Sequence, residues 1–430
     1  MKIRPENSKT LFWGNTVNQL MLPSPVPEHS NSLAVLAQRK LWLAGEGDAL
    51  VTASPINSSF RQYVEQTISV NQAEVTVAAA GTSLTTPLSD ALKKKELKDF
   101  VLNYLQKTKA KINCYALDYD LWEMGKEFGI DFEGYSEYPS KSLIDKIYEL
   151  NSKTGFRNLA AKLGLNIPPG CPCRGNDEII EATCRLMKSH NQVIIRLDRS
   201  SNGYGNLIIR NGSIAEIKNS IASHLELFSP QGEKYVVEVF LALKMSPSVE
   251  FSIEDEGLKP LYVCDQNFKN NLFSGIITPP VEISETIEQK LRQAGVAFGN
   301  HLKSLGYRGI FDLDGGITSD GEIVFTEVNV RRTAGTTLYE LVSKLVGKTT
   351  LASVVWIYDS GLIKRKISFE KIVSILRSSG QMYSPVTKQG VILPAYTVPV
   401  DNRLRYLIIA PDWEAAKKME MRFNRLFHLE

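Results

Sequence analysis

Two carboxylates, an amide and a guanidinium are spaced along the chain as a β-hairpin would require to bring them together. In the segment Phe325-Thr-Glu-Val-Asn-Val-Arg331, residues Glu327, Asn329 and Arg331 are two apart, so a strand places their side chains on one face. Asp314 lies 13 residues before Glu327, across an Asp-Gly turn, so the partner strand can present its carboxylate on that face. Such oxygen ligands suit Mg²⁺, and the arginine suits a transferring phosphoryl group. The alternative is a solvated sheet face whose charges pair with one another.

A glycine-bearing turn, Ser200-Ser-Asn-Gly-Tyr-Gly205, joins two apolar strand-like runs. Glycine allows backbone N–H groups to close around an anion, so Ser200, Gly203 and Gly205 are candidate phosphate contacts and the turn is a candidate lid. An ordinary hairpin turn is the alternative. Arg196 lies in the preceding run among apolar neighbours, where a cation needs an anionic partner unless its side chain reaches the surface.

The elements that must position these residues alternate in pattern, and the chain is predicted to be α+β, with antiparallel hairpins at its centre and helices around them. The predicted strands are residues 193–197, 207–210, 235–241, 310–316 and 322–330. The predicted helices include residues 156–163, 284–305 and 413–426, together with one that carries Leu143, Ile147 and Leu150.

Composition limits the class of protein. A chain of 430 residues favours about three domains, and 43% hydrophobic with 23% charged residues excludes a disordered or collagenous protein. The net charge of +3 includes no long block of like charge, so nucleic acid and membrane partners are not expected. The five cysteines favour reduced thiols over a metal or redox role for Cys171-Pro-Cys173. Without an apolar N-terminal signal, we expect a soluble cytoplasmic protein.

Taken together, these features resemble the ATP-grasp superfamily of carboxylate–amine ligases. Glu327-Val-Asn-Val-Arg331 resembles that family's Glu-x-Asn-x-Arg strand, and Asp314 lies where its other metal-binding carboxylate belongs. The resemblance implies that Asp314, Glu327 and Asn329 bind Mg²⁺, for which Mn²⁺ can substitute. It also implies that Arg331 is catalytic and contacts the phosphates of ATP.

The same resemblance extends to the nucleotide. Val236-Val-Glu-Val-Phe-Leu241 resembles the hinge strand that holds the adenine. This implies that Glu238 faces the adenine amino group and that Phe240 and Leu241 offer main-chain contacts. The family usually has lysine where this chain has Arg196, which we still assign to phosphate contact because the cation is kept.

Within the superfamily, the match is closest to the pheganomycin-type peptide ligases and covers most of the chain. Leu150-Asn-Ser-Lys-Thr-Gly-Phe-Arg157, followed by Gly164-Leu-Asn-Ile-Pro-Pro-Gly170, is similar to their first nucleotide-binding stretch, which places Lys153 near the phosphates. Val51-Thr-Ala-Ser-Pro-Ile-Asn57 with Tyr63 resembles a strand of their preceding domain.

Two further segments, residues 246–250 and 273–280, resemble the substrate side of that group. The candidate substrate residues are Ser248, Glu250, Gln266 and Gly275.

The implied fold is two α+β lobes that clasp ATP, preceded by an α/β N-terminal domain. The expected divisions are residues 1–140 for the N-terminal domain, 141–360 for the ATP-grasp domain with a lid at about 191–240, and 361–430 for a segment that completes the lobe. The implied reaction activates a carboxylate as an acyl phosphate and joins it to an amine, with amino acids or short peptides as substrates. The alternatives are an ATP-dependent kinase or carboxylase, or an inactive nucleotide-binding module. The protein is expected to be a monomer or a homodimer.

Overall fold

The computed structural model of the protein describes residues 8–21, 27–71, 74–210, 212–228, 233–269, 271–364 and 366–429. The strands are β1 Thr10–Trp13, β2 Ala49–Thr52, β3 Thr76–Ala79, β4 Lys111–Cys114, β5 Gly170–Cys173, β6 Gln192–Leu197, β7 Leu207–Arg210, β8 Tyr235–Val239, β9 Leu243–Met245, β10 Pro247–Glu254, β11 Gly257–Lys269, β12 Leu272–Thr278, β13 Gly309–Thr318, β14 Ile323–Asn329, β15 Val355–Leu362, β16 Gly390–Ile392 and β17 Arg403–Ala410. The α-helices are α1 Pro27–Leu36, α2 Ser58–Ile68, α3 Lys95–Thr108, α4 Tyr119–Phe128, α5 Lys141–Leu150, α6 Lys153–Lys162, α7 Gly175–Leu186, α8 Ile214–Phe228, α9 Glu285–Ser304, α10 Ala334–Val346, α11 Lys348–Leu351, α12 Phe369–Ser378, α13 Val398–Asp401 and α14 Trp413–Phe427. Among the described residues, 3₁₀ helices span Ala37–Trp42 and Leu88–Lys93.

The N-terminal part is an α/β unit, as predicted. Its four strands are parallel in the order β3-β2-β1-β4. β1 and β2 are buried along their whole length, which is usual for parallel strands because connecting helices cover both sheet faces.

A second, antiparallel sheet has the order β5-β8-β6-β7 and spans residues 170–239, so it begins before the predicted lid. The turn between β6 and β7 carries Gly203 and Gly205 with φ of 78° and 71°. This left-handed backbone explains why glycine occupies both positions.

The largest sheet has nine strands, ordered β14-β13-β10-β11-β12-β15-β17-β16, with β9 paired to β13. In the β13–β14 hairpin, Asp314 lies opposite Glu327 and Asp312 lies opposite Asn329. β15 and β17 connect the C-terminal segment to the same sheet. One face of this sheet therefore runs without interruption from the predicted metal ligands to the C-terminal segment.

Two element boundaries differ from the sequence prediction in a way that affects the site. β8 ends at Val239, so Phe240 and Leu241 lie beyond the strand. α6 begins at Lys153 rather than Phe156, because the side chain of Ser152 caps the helix and accepts a hydrogen bond from the Gly155 N–H. Lys153 is thus the first residue of a helix.

The hydrophobic core crosses the division between the N-terminal domain and the rest. One cluster joins Leu11 to Ile144 of α5, Phe251 of β10 and Phe298 of α9. Another joins the 3₁₀ helix Ala37–Trp42 and α2 to the sheet strands β15 and β17. In the described part of the chain, no helix combines the length and the apolar character needed to cross a bilayer.

Candidate functional site

A cavity of about 470 Å³ lies between the N-terminal part of the chain and the two antiparallel sheets. Its walls come from the N-terminal domain, the β6–β7 turn and one face of the nine-stranded sheet. Asp314, Glu327 and Asn329 line the end nearest the turn, and Arg39 and Arg405 line the C-terminal side. The cavity therefore has polar groups of both signs along its length.

Asp314 is held by amide donors at the first of these ends. Gln266 Nε2 donates to its Oδ1 at 2.6 Å, and Asn329 Nδ2 donates to its Oδ2 at 3.1 Å. Burial, and then the negative charge of Glu327, raise the pKa of Asp314 to about 6. Two carboxylates that face each other across a strand pair repel one another, so the pair favours the binding of a cation.

Glu327 is already surrounded by cations. Its Oε2 lies 2.9 Å from Arg196 Nη2 and 3.6 Å from Lys153 Nζ. Burial on its own would raise the pKa of Glu327, but Lys153, Arg196 and Arg331 outweigh it and lower the pKa. The carboxylate therefore stays ionised at neutral pH, ready to act as a ligand or as a partner for the two cations.

The structure separates the two adjacent arginines. Arg331 Nη2 donates to Asn329 Oδ1, its Nη1 donates to the Arg332 carbonyl at 3.1 Å, and its buried Nε has no partner. Arg331 lines the cavity, whereas Arg332 pairs with Glu340. An arginine with a free donor beside the carboxylates can bind a phosphate oxygen.

The residues present fit a magnesium ion bound jointly by protein and nucleotide. Among the described residues, no three His, Cys, Asp or Glu side chains form a metal-binding group. The predicted set consists of two carboxylates and the amide of Asn329, which is too few oxygens for a closed protein cage. Magnesium at nucleotide sites is bound by one or two carboxylates together with phosphate oxygens, so the small donor set is appropriate.

Asp312 is a further buried acid at this site, in addition to the predicted metal ligands. Asn329 Nδ2 donates to its Oδ1 at 2.7 Å. Burial, together with the charges of Asp314 and Glu250, raises the pKa of Asp312 well above its usual range. The Asp-x-Asp spacing indicates this position from the sequence, because residues two apart on a strand lie on the same face.

The predicted phosphate contacts on the lid side lie close together. Lys153 Nζ is 3.2 Å from Ser200 Oγ, and both side chains are buried. Gly203 lines the cavity, and the Asn202 carbonyl accepts a hydrogen bond from the Phe273 N–H at 3.4 Å. The turn thus contacts the β11–β12 hairpin at the cavity wall. Gly205 lies behind it, with its carbonyl 3.0 Å from a ring nitrogen of His224.

The predicted adenine contacts lie outside the cavity wall. The buried Glu238 carboxylate pairs with Arg157 and, at 3.4 Å, with Arg196. The Phe240 N–H donates to the Gln192 carbonyl at 3.1 Å. Neither these two residues nor Leu241 lines the cavity, so an adenine amino group at Glu238 would have to compete with two arginines.

The four predicted substrate residues divide into two pairs. Ser248 and Gln266 line the cavity. Glu250 does not: it is fully buried and accepts hydrogen bonds at 3.1 Å from Tyr262, Thr333 and Thr336. Contact of Glu250 with substrate stays a prediction, and in this structure its Oε2 is occupied by these three hydroxyl groups.

Substrate contact by Gly275 also stays a prediction, and the structure shows a packing reason for glycine at this position. A Cβ there would lie 2.0 Å from the Tyr358 carbonyl oxygen. Glycine is needed for the close approach of β12 to β15, and Gly275 does not line the cavity.

Comparison with known proteins gives two family models, each matching part of the chain. A model described as the Pre ATP-grasp domain matches residues 37–130, and one described as the PGM1 C-terminal domain matches residues 371–423. None of the curated proteins compared matches the sequence.

Solved structures match over nearly the whole chain. The N5-carboxyaminoimidazole synthase of Aspergillus clavatus, in complex with ADP and 5-aminoimidazole ribonucleotide, is 13% identical, with a TM-score of 0.59 over 98% of this chain and 99% of that one. The biotin carboxylase of Campylobacter jejuni is 12% identical, with a TM-score of 0.61 over 96% and 90%. The biotin carboxylase domain of Hydrogenobacter thermophilus 2-oxoglutarate carboxylase, in complex with MgADP, ADP and bicarbonate, is 13% identical, with a TM-score of 0.59 over 99% and 91%.

At these identities the likeness establishes the fold and leaves the substrates open. The family match in the N-terminal part and the matches to solved structures over nearly the whole chain indicate the same fold. The chain therefore has the ATP-grasp fold, with a Pre ATP-grasp domain on its N-terminal side.

Proposed function

We propose that the protein is an ATP-dependent ligase that activates a carboxylate as an acyl phosphate and joins it to an amine, with release of ADP and phosphate. The observation that carries the proposal is that Lys153, Arg196 and Arg331 surround the charge of Glu327, which lines one end of the cavity beside Asp314. Cations with carboxylates in this arrangement serve phosphoryl transfer, where positioning and charge neutralisation supply most of the catalysis.

The assignment of roles follows from the contacts. Asp314, Glu327 and Asn329 would hold the magnesium ion, which would supply neutralisation of phosphate charge. Lys153 and Arg196, which share Glu327 as a partner, would turn toward phosphate oxygens. Arg331 has a buried Nε without a partner, so it can stabilise charge on the transferring group without breaking an existing bond.

Exclusion of water is the second requirement of this chemistry, because water would hydrolyse an acyl phosphate. The β6–β7 turn meets the β11–β12 hairpin at Asn202 and Phe273, both of which line the cavity. The turn is therefore assigned the role of a lid. Once the amine is enclosed, it attacks the acyl carbon and phosphate leaves.

The experiment measures ATP-dependent phosphate release with Mg²⁺, first with pooled acids alone and then with pooled amino acids and dipeptides as amines. The proposal predicts phosphate release that requires both a carboxylate and an amine, and an amide product with equal stoichiometry. Release with an acid alone, with a phosphorylated product that persists, would instead identify a kinase.

A carboxylase is the second candidate, because solved structures with the same fold are named as biotin carboxylases and N5-carboxyaminoimidazole synthases. The same assay with bicarbonate in place of the acids separates the two functions. Phosphate release that depends on bicarbonate, and not on the pooled acids, would overturn the ligase proposal in favour of carboxylation.

A further inference from the structure

Arg39 is a buried cation in the cavity wall, far from the carboxylates described above. It lies on the 3₁₀ helix Ala37–Trp42, and its residue is only 5% exposed. Its Nη2 donates to the Tyr358 hydroxyl, and its buried Nε has no partner. No carboxylate of the described residues forms an ion pair with it. Burial of a guanidinium without an anionic partner costs free energy, and binding of an anion beside Arg39 would offset this cost.

Its surroundings add positive charge. Arg405, on β17, pairs with Asp401 at 2.7 Å and donates to Ser32 Oγ at 3.0 Å, so its own charge is balanced. Arg403 lines the same cavity, and its Nη1 lies 3.5 Å from Ser360 Oγ. Among the described residues that line this end of the cavity, three guanidinium groups thus stand beside one carboxylate, that of Asp401.

Burial lowers the pKa of Arg39, and the nearby charge of Arg405 lowers it further, while Tyr358 acts in the opposite direction. Arginine remains protonated in proteins despite such shifts. The site therefore keeps an excess of positive charge that a bound anion would relieve.

The distance between the two ends of the cavity indicates the size of the molecule that could connect them. Asp314 lies on β13 and Tyr358 on β15, four strand positions apart in the sheet. At about 4.8 Å per strand, the separation is roughly 19 Å. An extended peptide advances about 3.3 Å per residue, so a short peptide rather than a single amino acid would be needed to span it.

We propose that Arg39 and Arg403 bind an anionic group of the substrate, a carboxylate or a phosphate, at the end of the cavity opposite the nucleotide. The proposal deepens the ligase function and rests on it, because it takes this cavity to be the substrate site. The anion could belong to the amine substrate, as its free C-terminal carboxylate, or to the acyl substrate, as a second acidic group. A planar guanidinium whose buried Nε lacks a partner suits either source.

The experiment compares wild type with Arg39→Gln, which removes the charge but keeps a donor for Tyr358, and with Arg39→Lys, which keeps the charge. Arg377→Gln is the matched control, because it removes an exposed arginine of α12 from the same chain. Binding is measured by titration calorimetry in the presence of MgADP, so no turnover is needed. The probes are dipeptides and tripeptides with free C-termini, the same peptides as C-terminal amides, dicarboxylates with matched monocarboxylates, and inorganic phosphate.

The proposal predicts that at least one anionic probe binds wild type and the Arg377 variant equally, and Arg39→Gln at least tenfold more weakly, with Arg39→Lys in between. Preference for a free C-terminus over its amide assigns the anion to the peptide, and preference for a dicarboxylate assigns it to the acyl substrate. If no anionic probe binds wild type better than Arg39→Gln, the proposal is wrong. Because binding is read without catalysis, a ligase assay that fails while the binding difference persists would overturn only the proposed reaction.

Discussion

At the scale of single residues, the two carboxylates that face each other should be separable by their effect on stability. Asp314→Asn removes a charge that opposes Glu327, so we expect unchanged or slightly greater thermal stability and a loss of ATP turnover of at least a hundredfold. Glu327→Gln leaves Lys153 and Arg196 without their shared carboxylate, so the same loss of turnover should come with a lower melting temperature. Near-normal ADP production by either variant at saturating Mg²⁺ would contradict the metal assignment.

The adjacent arginines give a second contrast. Arg331→Ala should reduce kcat by about 10²- to 10³-fold while changing stability less than the neighbouring substitution, since its side-chain hydrogen bonds go to Asn329 and one carbonyl and it forms no close ion pair among the described residues. Arg332→Ala strands the buried Glu340 carboxylate, so it should destabilise the fold by about 3 kcal/mol. Steady-state kinetics and denaturant unfolding on both variants test this pair, and a larger kcat loss for the Arg332 variant would reverse the assignment.

Glu250 gives a pH dependence whose sign can be worked out. Burial raises its pKa to about 7, with the hydroxyl groups of Thr336, Tyr262 and Thr333 acting against it. The folded state therefore binds a proton that the unfolded state has released between about pH 4.3 and 7, so this group lowers stability as pH rises through that window. Relative to wild type, Glu250→Gln should gain about 1–3 kcal/mol at pH 8 and little at pH 5. If the difference in unfolding free energy between Glu250→Gln and wild type were the same at pH 8 and at pH 5, the pKa of Glu250 would not be raised.

At the scale of elements, the lid depends on one close contact. A Cβ on Gly203 would lie 2.4 Å from the Asn271 carbonyl oxygen, so Gly203→Ala should push the β6–β7 turn away from the β11–β12 hairpin. We expect phosphate release to exceed amide formation, because water then reaches the intermediate. Gly129→Ala is the control, since it imposes similar backbone strain at φ 64° with no atom in contact. If the ratio of amide formed to phosphate released were the same in both variants, the turn would not act as a lid.

The elements also show what the sequence could predict. The β13–β14 hairpin follows from strand alternation and an Asp-Gly turn, which are local signals. The sequence could therefore predict that Asp314 and Glu327 lie on facing strands. The position of Glu250 depends on hydroxyl groups from β11 and α10, and the close approach at Gly275 depends on β15. Arg39 meets Tyr358 across 319 residues of chain, which no local pattern encodes.

At the scale of the whole molecule, the N-terminal domain is a wall of the site as well as a neighbour of it. It supplies Arg39 and Tyr115 to the cavity, and its core is continuous with that of the large sheet. Shared cores make unfolding cooperative, because neither part can expose its surface without exposing that of the other. A truncated protein that lacks residues 1–140 should therefore fail to give a cooperative unfolding transition.

A single hydroxyl tests this coupling without truncation. Tyr63, on α2 of the N-terminal domain, accepts a hydrogen bond from the buried Leu393 N–H at 3.2 Å. Tyr63→Phe leaves that N–H without its partner, which should lower the unfolding free energy by about 1–3 kcal/mol. Calorimetry should show one transition moved to lower temperature. Tyr396→Phe, which removes a hydroxyl bonded within the C-terminal segment to the Ile367 carbonyl, is the control for loss of a tyrosine hydroxyl. A separate early transition in the Tyr63 variant alone would mean that the domain unfolds independently, and that the cavity can lose one wall while the other persists.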